Sequence, residues 1–284
     1  MFSKLLKHEW KANWGLMSVL ALAVIGVALV GTIALRVLVN YGDMISESDS
    51  VLVLLLFPLG MLVFVSFLAL MIYAVAVSFV MIFRFYKNKF TDEGYLTFTL
   101  PVKTNQIFLS SALNMLIWMV ISVVLVAVLA VVMILCGTAT DGIINMDIIN
   151  GFKEMDFIWQ ELSLIYGEIM GEGFGVLSVI TMLVSPIYSV VLSMTCITLG
   201  AVVAKKHKIL AAIGISYGAS MILSIISSVV TSVPSLLFIG DTSMESSDLY
   251  FTLTMVGQLL IYLGVIVGGY FLSTHLMKHK LNLP

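Results

Sequence analysis

Apolar residues fall into six long blocks separated by short polar stretches: Gly15 to Val39, Val51 to Phe83, Ile107 to Cys136, Phe174 to Ala204, Ile209 to Ile239 and Leu249 to Ser273. A bilayer core about 30 Å thick is crossed by roughly 20 apolar residues in a helix rising 1.5 Å per residue. Each block meets that length, so the pattern predicts an all-α, polytopic integral membrane protein with six transmembrane helices in a single domain, 1–284. Most blocks exceed the minimum and must tilt or project, the second above all.

Three of the remaining segments have patterns of their own. In residues 1–14, Phe2, Leu5, Leu6, Trp10 and Trp14 interleave with Lys4, Lys7, His8 and Lys11. That pattern fits an interfacial helix lying along the membrane before the first span, or a basic, aromatic flank of that span. In 137–173, Ile148, Phe152, Met155, Trp159, Leu162, Ile165 and Ile169 recur at spacings of three and four, opposite Glu154, Gln160, Glu161 and Glu168. This predicts an amphipathic helix that lies on the outer membrane surface or caps the helical bundle, acting as an outer gate, a substrate-facing lid or a packing element. In 84–106, Thr91, Asp92 and Glu93 are placed to cap a short helix, and Pro101 ends it and restricts Leu100.

Composition agrees with lipid as the solvent. The 284 residues are 61% hydrophobic and only 11% charged, against about 25% charged in soluble domains. A net charge of −2 excludes a basic nucleic-acid binder, and high hydrophobicity excludes intrinsic disorder. The two cysteines, Cys136 and Cys196, are too few for a disulfide scaffold or a cysteine metal cluster.

Charge sorts by side. Of 14 basic residues, only Arg36 and Lys153 fall on one face of the six-span arrangement; the other twelve share the opposite face with just Glu9, Asp92 and Glu93. Lysine and arginine accumulate on the cytoplasmic side, so both termini are expected there. The chain is therefore expected to be embedded in a membrane that faces the cytoplasm, with lipid as the surroundings.

Inside the blocks, charge is almost absent. Arg36, near the outer end of the first, is placed to pair with Asp43 or Glu47 or to reach the interface. No other ionisable Asp, Glu, Lys, Arg or His lies in a hydrophobic core, which argues against a proton relay. The four histidines sit at block ends among lysines, without metal-ligand spacing. Small polar residues instead form two stripes: Ser178, Thr181, Ser185, Ser189 and Ser193 in the fourth block, and Ser216, Ser220, Ser224, Ser228, Thr231 and Ser235 in the fifth. Either a mildly polar translocation path or close helix packing accounts for them. Gly264 and Gly268 form a Gly-x-x-x-Gly that permits close approach, and Pro58, Pro186 and Pro234 fall within spans. Gly214-Ile215-Ser216-Tyr217-Gly218 matches the hydrolase Gly-x-Ser-x-Gly, but that motif works on a strand-to-helix elbow beside a His and an acid, whereas here it lies within a membrane helix. No catalytic residue is expected, and the chain reads as a non-enzyme.

The chain has no Gly-x-x-x-x-Gly-Lys-Ser/Thr phosphate loop, so any use of ATP falls to a partner. The inner segment Glu93-Gly94-Tyr95-Leu96-Thr97-Phe98-Thr99-Leu100-Pro101-Val102, between a long second span and a third, resembles the coupling-helix region of bacterial ATP-binding-cassette exporter permeases of the type-2 superfamily. Those permeases share six spans, cytoplasmic ends and an N-terminal interfacial helix. By that resemblance Asp92, Glu93 and Gly94 open the coupling element, Tyr95, Leu96, Thr97, Phe98, Thr99 and Leu100 contact the ATPase, and Pro101 turns the chain back to the membrane. The resemblance implies cytosolic ABC ATPase subunits holding ATP and Mg, a second permease chain, identical or related, and export of an amphipathic or hydrophobic cargo. This chain itself would bind no cofactor. The alternatives are an ATPase-independent channel or secondary carrier, and a structural or sensory subunit.

Overall fold

The computed structural model describes residues 2–46, 50–91, 94, 103–139, 142–204, 208–237 and 244–279, and only the backbone path along 42–46, 50–55, 147–148, 151–174, 208, 244–248 and 279. Among them are six α-helices and no strand: α1 (Phe2–Ser46), α2 (Ser50–Phe90), α3 (Thr104–Gly137), α4 (Met146–Val203), α5 (Lys208–Leu237) and α6 (Met244–His279). Each contains a stretch long and apolar enough to cross a membrane, and each stretch overlaps one of the six sequence blocks.

Two helices run furthest beyond their apolar blocks. The 45 residues of α1 continue unbroken from Phe2 through Trp14 into the first span, because Gly15 alone costs only about 1 kcal/mol against a helix of this length. Likewise α4 spans 58 residues, joining the amphipathic stretch to the fourth span without interruption at Gly167, Gly171 or Gly173. The side chains of 151–174, and so the orientation of that amphipathic face, lie outside the described residues.

Large apolar side chains stand outward along the helices: Leu22 is 69% exposed, Phe57 71% and Met182 77%. An outward apolar surface on this scale requires lipid around it.

The chain divides into two compact units, one of Leu6–Met81 and Ile117–Ile158, the other of Met1–Leu5, Ile82–Leu116 and Trp159–Pro284. In the first, α1, α2 and α3 meet at Gly31, where a Cβ would sit 2.5 Å from Ser66 Cβ and 3.1 Å from Met133 Cε. At one end of this unit Arg36 donates to the carbonyl of Gly142, and Asn40 Nδ2 donates to Ala139 O at 3.3 Å. The Asn145 side chain donates to Thr138 O at 2.9 Å, tying the start of α4 to the end of α3. Gly142, with φ +84°, supplies the left-handed backbone this turn needs. The Arg36 guanidinium thus clasps a carbonyl of the α3–α4 turn. Further along, Trp10 stacks on Trp118 with centroids 4.7 Å apart, and Trp14 lies 6.1 Å from both.

In the second unit, the α4–α5 junction closes on Gly200, where a Cβ would meet Ala212 Cα at 2.5 Å. A buried hydroxyl cluster joins α4 to α6: Ser273 Oγ donates to Thr195 Oγ1 at 3.1 Å, and Thr198 Oγ1 lies 3.4 Å from Ser273 Oγ. Beside it, Gly269 lets α6 approach, since a Cβ there would sit 2.7 Å from Thr195 Oγ1. The Gly-x-x-x-Gly of Gly264 and Gly268 does not serve this contact. A Cβ at either meets nothing within 4 Å, because one residue of helix is a 100° rotation and both glycines lie on the outward face.

Candidate functional site: a polar recess among α4, α5 and α6

Within the second unit, α4, α5 and α6 enclose a recess of about 200 Å³. Tyr188 lines it from α4, Ser220, Leu223, Ser224 and Ser227 from α5, and Gln258, Ile261 and Tyr262 from α6. All lie in the interior of the spans Gly175–Val203, Ile209–Leu237 and Leu249–Lys278.

Two cross-helix contacts shape it. The phenol rings of Tyr188 and Tyr262 stack with centroids 4.4 Å apart and planes inclined by 22°, which fixes α4 against α6. Ser227 Oγ donates to Gln258 Oε1 at 2.7 Å, which anchors the amide by its oxygen. Among the described residues, the Gln258 amide nitrogen and the hydroxyls of Tyr188 and Tyr262 have no hydrogen-bond partner, and no residue lining the recess is charged.

Of the serines singled out in the sequence, Ser220 and Ser224 line the recess. Ser216 lies one turn earlier on α5, and Ser185, Ser189 and Ser193 lie on α4 to either side of Tyr188, outside the lining. All six hydroxyls donate to carbonyls of their own helix: Ser185 to Met182, Ser189 to Pro186, Ser193 to Val190, Ser216 to Ile213, Ser220 to Ser216 and Ser224 to Met221, at 2.7–3.1 Å. Such back-bonding satisfies a hydroxyl in hydrocarbon without a neighbouring helix. The serine that does reach across is Ser227, off the sequence stripe. Gln258 carried a signal, as a lone amide deep in an apolar block, but a search for charge passes over it. Nothing in the sequence pairs Tyr188 with Tyr262.

Of the coupling segment, only Gly94 is described; Asp92, Glu93, Tyr95, Leu96, Thr97, Phe98, Thr99, Leu100 and Pro101 lie outside the described residues. Gly94 is buried, and its N–H donates to Thr91 O at 2.8 Å. The Thr91 hydroxyl donates back to Lys87 O at 2.5 Å, closing the end of α2. Phe90 packs edge-on to Phe85 at 5.7 Å, so α2 ends in a small aromatic cluster beyond its apolar block.

The fold defines a multi-pass α-helical membrane protein. No protein-family model, curated protein or solved structure matches the chain.

Proposed function

We propose that this chain is the transmembrane subunit of an ATP-driven exporter of the ABC class, which moves an amphipathic or hydrophobic molecule out of a bacterial cell. The observation that carries the reading is an uncharged polar recess at mid-span, in helices whose apolar blocks hold no ionisable Asp, Glu, Lys, Arg or His except Arg36. Proton- and ion-coupled carriers commonly place such groups at the membrane centre, so their scarcity here supports a driving energy supplied from outside the helices. The resemblance of Glu93 to Val102 to a coupling helix names the source: a cytosolic ATPase holding ATP and Mg, docked on the face where the basic residues gather. A second permease chain would complete the complex.

Leu96→Asp tests this directly. A charge on the apolar coupling element should weaken co-purification with the cognate ATPase at least about tenfold, equal to ~1.4 kcal/mol, and abolish substrate-stimulated hydrolysis while membrane insertion persists. Unchanged association and turnover would remove the segment from the mechanism. Uphill transport by the purified chain alone would establish a self-contained carrier instead.

A further inference from the structure

The recess among α4, α5 and α6 contains hydrogen-bond donors that the protein itself does not use. Gln258 is held through its oxygen by Ser227, which leaves both amide protons free; the hydroxyls of Tyr188 and Tyr262 are likewise without partners among the described residues. In hydrocarbon each such group carries a desolvation cost, so whatever fills the space should supply acceptors. Ser220 and Ser224 give their protons to their own helix and add no competing donor. No cation or carboxylate faces the space, so a charged headgroup would be left uncompensated. A volume of about 200 Å³ is smaller than the roughly 300–1,000 Å³ that houses a whole drug-sized ligand, so only the polar end of a longer molecule fits, with its tail left in lipid.

We infer that this recess binds the uncharged, carbonyl-bearing end of an amphipath, an ester or amide whose oxygens accept from Gln258, Tyr188 and Tyr262. The site rests on the reading of these helices as a substrate path, and it needs no ATPase to be occupied. The carbonyl can come from a free amphipath or from the ester linkage of a bilayer lipid whose charged headgroup stays outside the recess.

The test uses the full chain alone in nanodiscs, with a monoacylglycerol carrying a diazirine in its acyl chain and an alkane diazirine of equal length as its counterpart. After illumination, peptides covering 188, 220–227 and 258–262 are quantified by mass spectrometry. The ester probe should label them several-fold more than the alkane. Gln258→Leu should lower that labelling by about three- to tenfold, the range for loss of one or two hydrogen bonds. Tyr188→Phe with Tyr262→Phe keeps the stacked rings and removes only the hydroxyls; it should give a similar loss, and it serves if the Gln258 variant does not fold.

Nanodiscs of ester-linked and ether-linked phosphatidylcholine separate the two sources. Weaker probe labelling in the ester-linked discs identifies bilayer lipid as an occupant, and equal labelling identifies the free amphipath. Equal labelling by ester and alkane probes, or labelling unchanged in both variants, would overturn the site. Labelling that survives while ATPase association cannot be found would count against the exporter reading and leave the site standing.

Discussion

Around Gly31 three helices meet because a side chain is missing; around Ser273 two helices meet because side chains bond. In the first unit the neighbours of Gly31 are Ser66 and Met133, and the shallow depression along α2 is lined by Leu56, Phe57, Gly60, Met61 and Phe64. In the second unit, hydroxyls of Thr195, Thr198 and Ser273 and the Ser227–Gln258 pair link α4, α5 and α6. Lipid tails are as apolar as leucine, so helices in a membrane gain little from hiding apolar surface against each other; close packing and hydrogen bonds remain. The first unit relies on packing, with polar ties at the Arg36–Gly142 end. The second adds polar ties within its spans, and there the recess with unpartnered donors is found.

Three experiments probe this contrast. Gly200→Val should have the largest effect, because the new Cβ meets the Ala212 backbone at 2.5 Å and backbone cannot rotate aside. A loss of about 3 kcal/mol is expected in detergent unfolding, while Gly264→Val, which faces open space, should stay within about 0.5 kcal/mol. Comparable losses at both positions would erase the distinction between packed and outward glycines. Next, a double-mutant cycle on Thr195→Val and Ser273→Ala should return a coupling of roughly 0.6 kcal/mol, typical of hydrogen bonds between membrane helices. A coupling of zero would remove the Thr195–Ser273 bond from what holds α4 to α6. Trp118→Phe should be close to neutral. Trp118 is 7% exposed and its Nε1 has no partner, so removing the indole N–H while keeping an aromatic ring against Trp10 should change stability by less than about 1 kcal/mol, in either direction. A large loss would reveal a bond to that nitrogen.

The six spans were legible because hydrophobicity over about 20 residues is a local property, and each sequence block falls largely within one observed helix. The ends were less so. Continuity through Trp14 and through Gly167 depends on cooperative helix propagation, which outweighs one or two glycines. Rotation about a helix axis was not legible: Gly264 and Gly268 matched a packing motif, yet Gly269 makes the contact, since only the neighbouring helix decides which face is inward. Of the recess, Ser220 and Ser224 were visible as part of a stripe and Gln258 was missed, and their meeting with Tyr188 and Tyr262 is a long-range event that spacing along one helix does not encode.

The serine face of α5 has one more consequence. From Ser216 to Ser235 its hydroxyls are tethered to carbonyls of their own helix, as in Ser228 to Ser224, Thr231 to Ser228 and Ser235 to Ser232. Such a surface is indifferent to company: oil, water or a passing solute can touch it and withdraw without any bond of the protein being broken. Neighbouring lipid or helix can therefore shift past this face at little cost in hydrogen bonds.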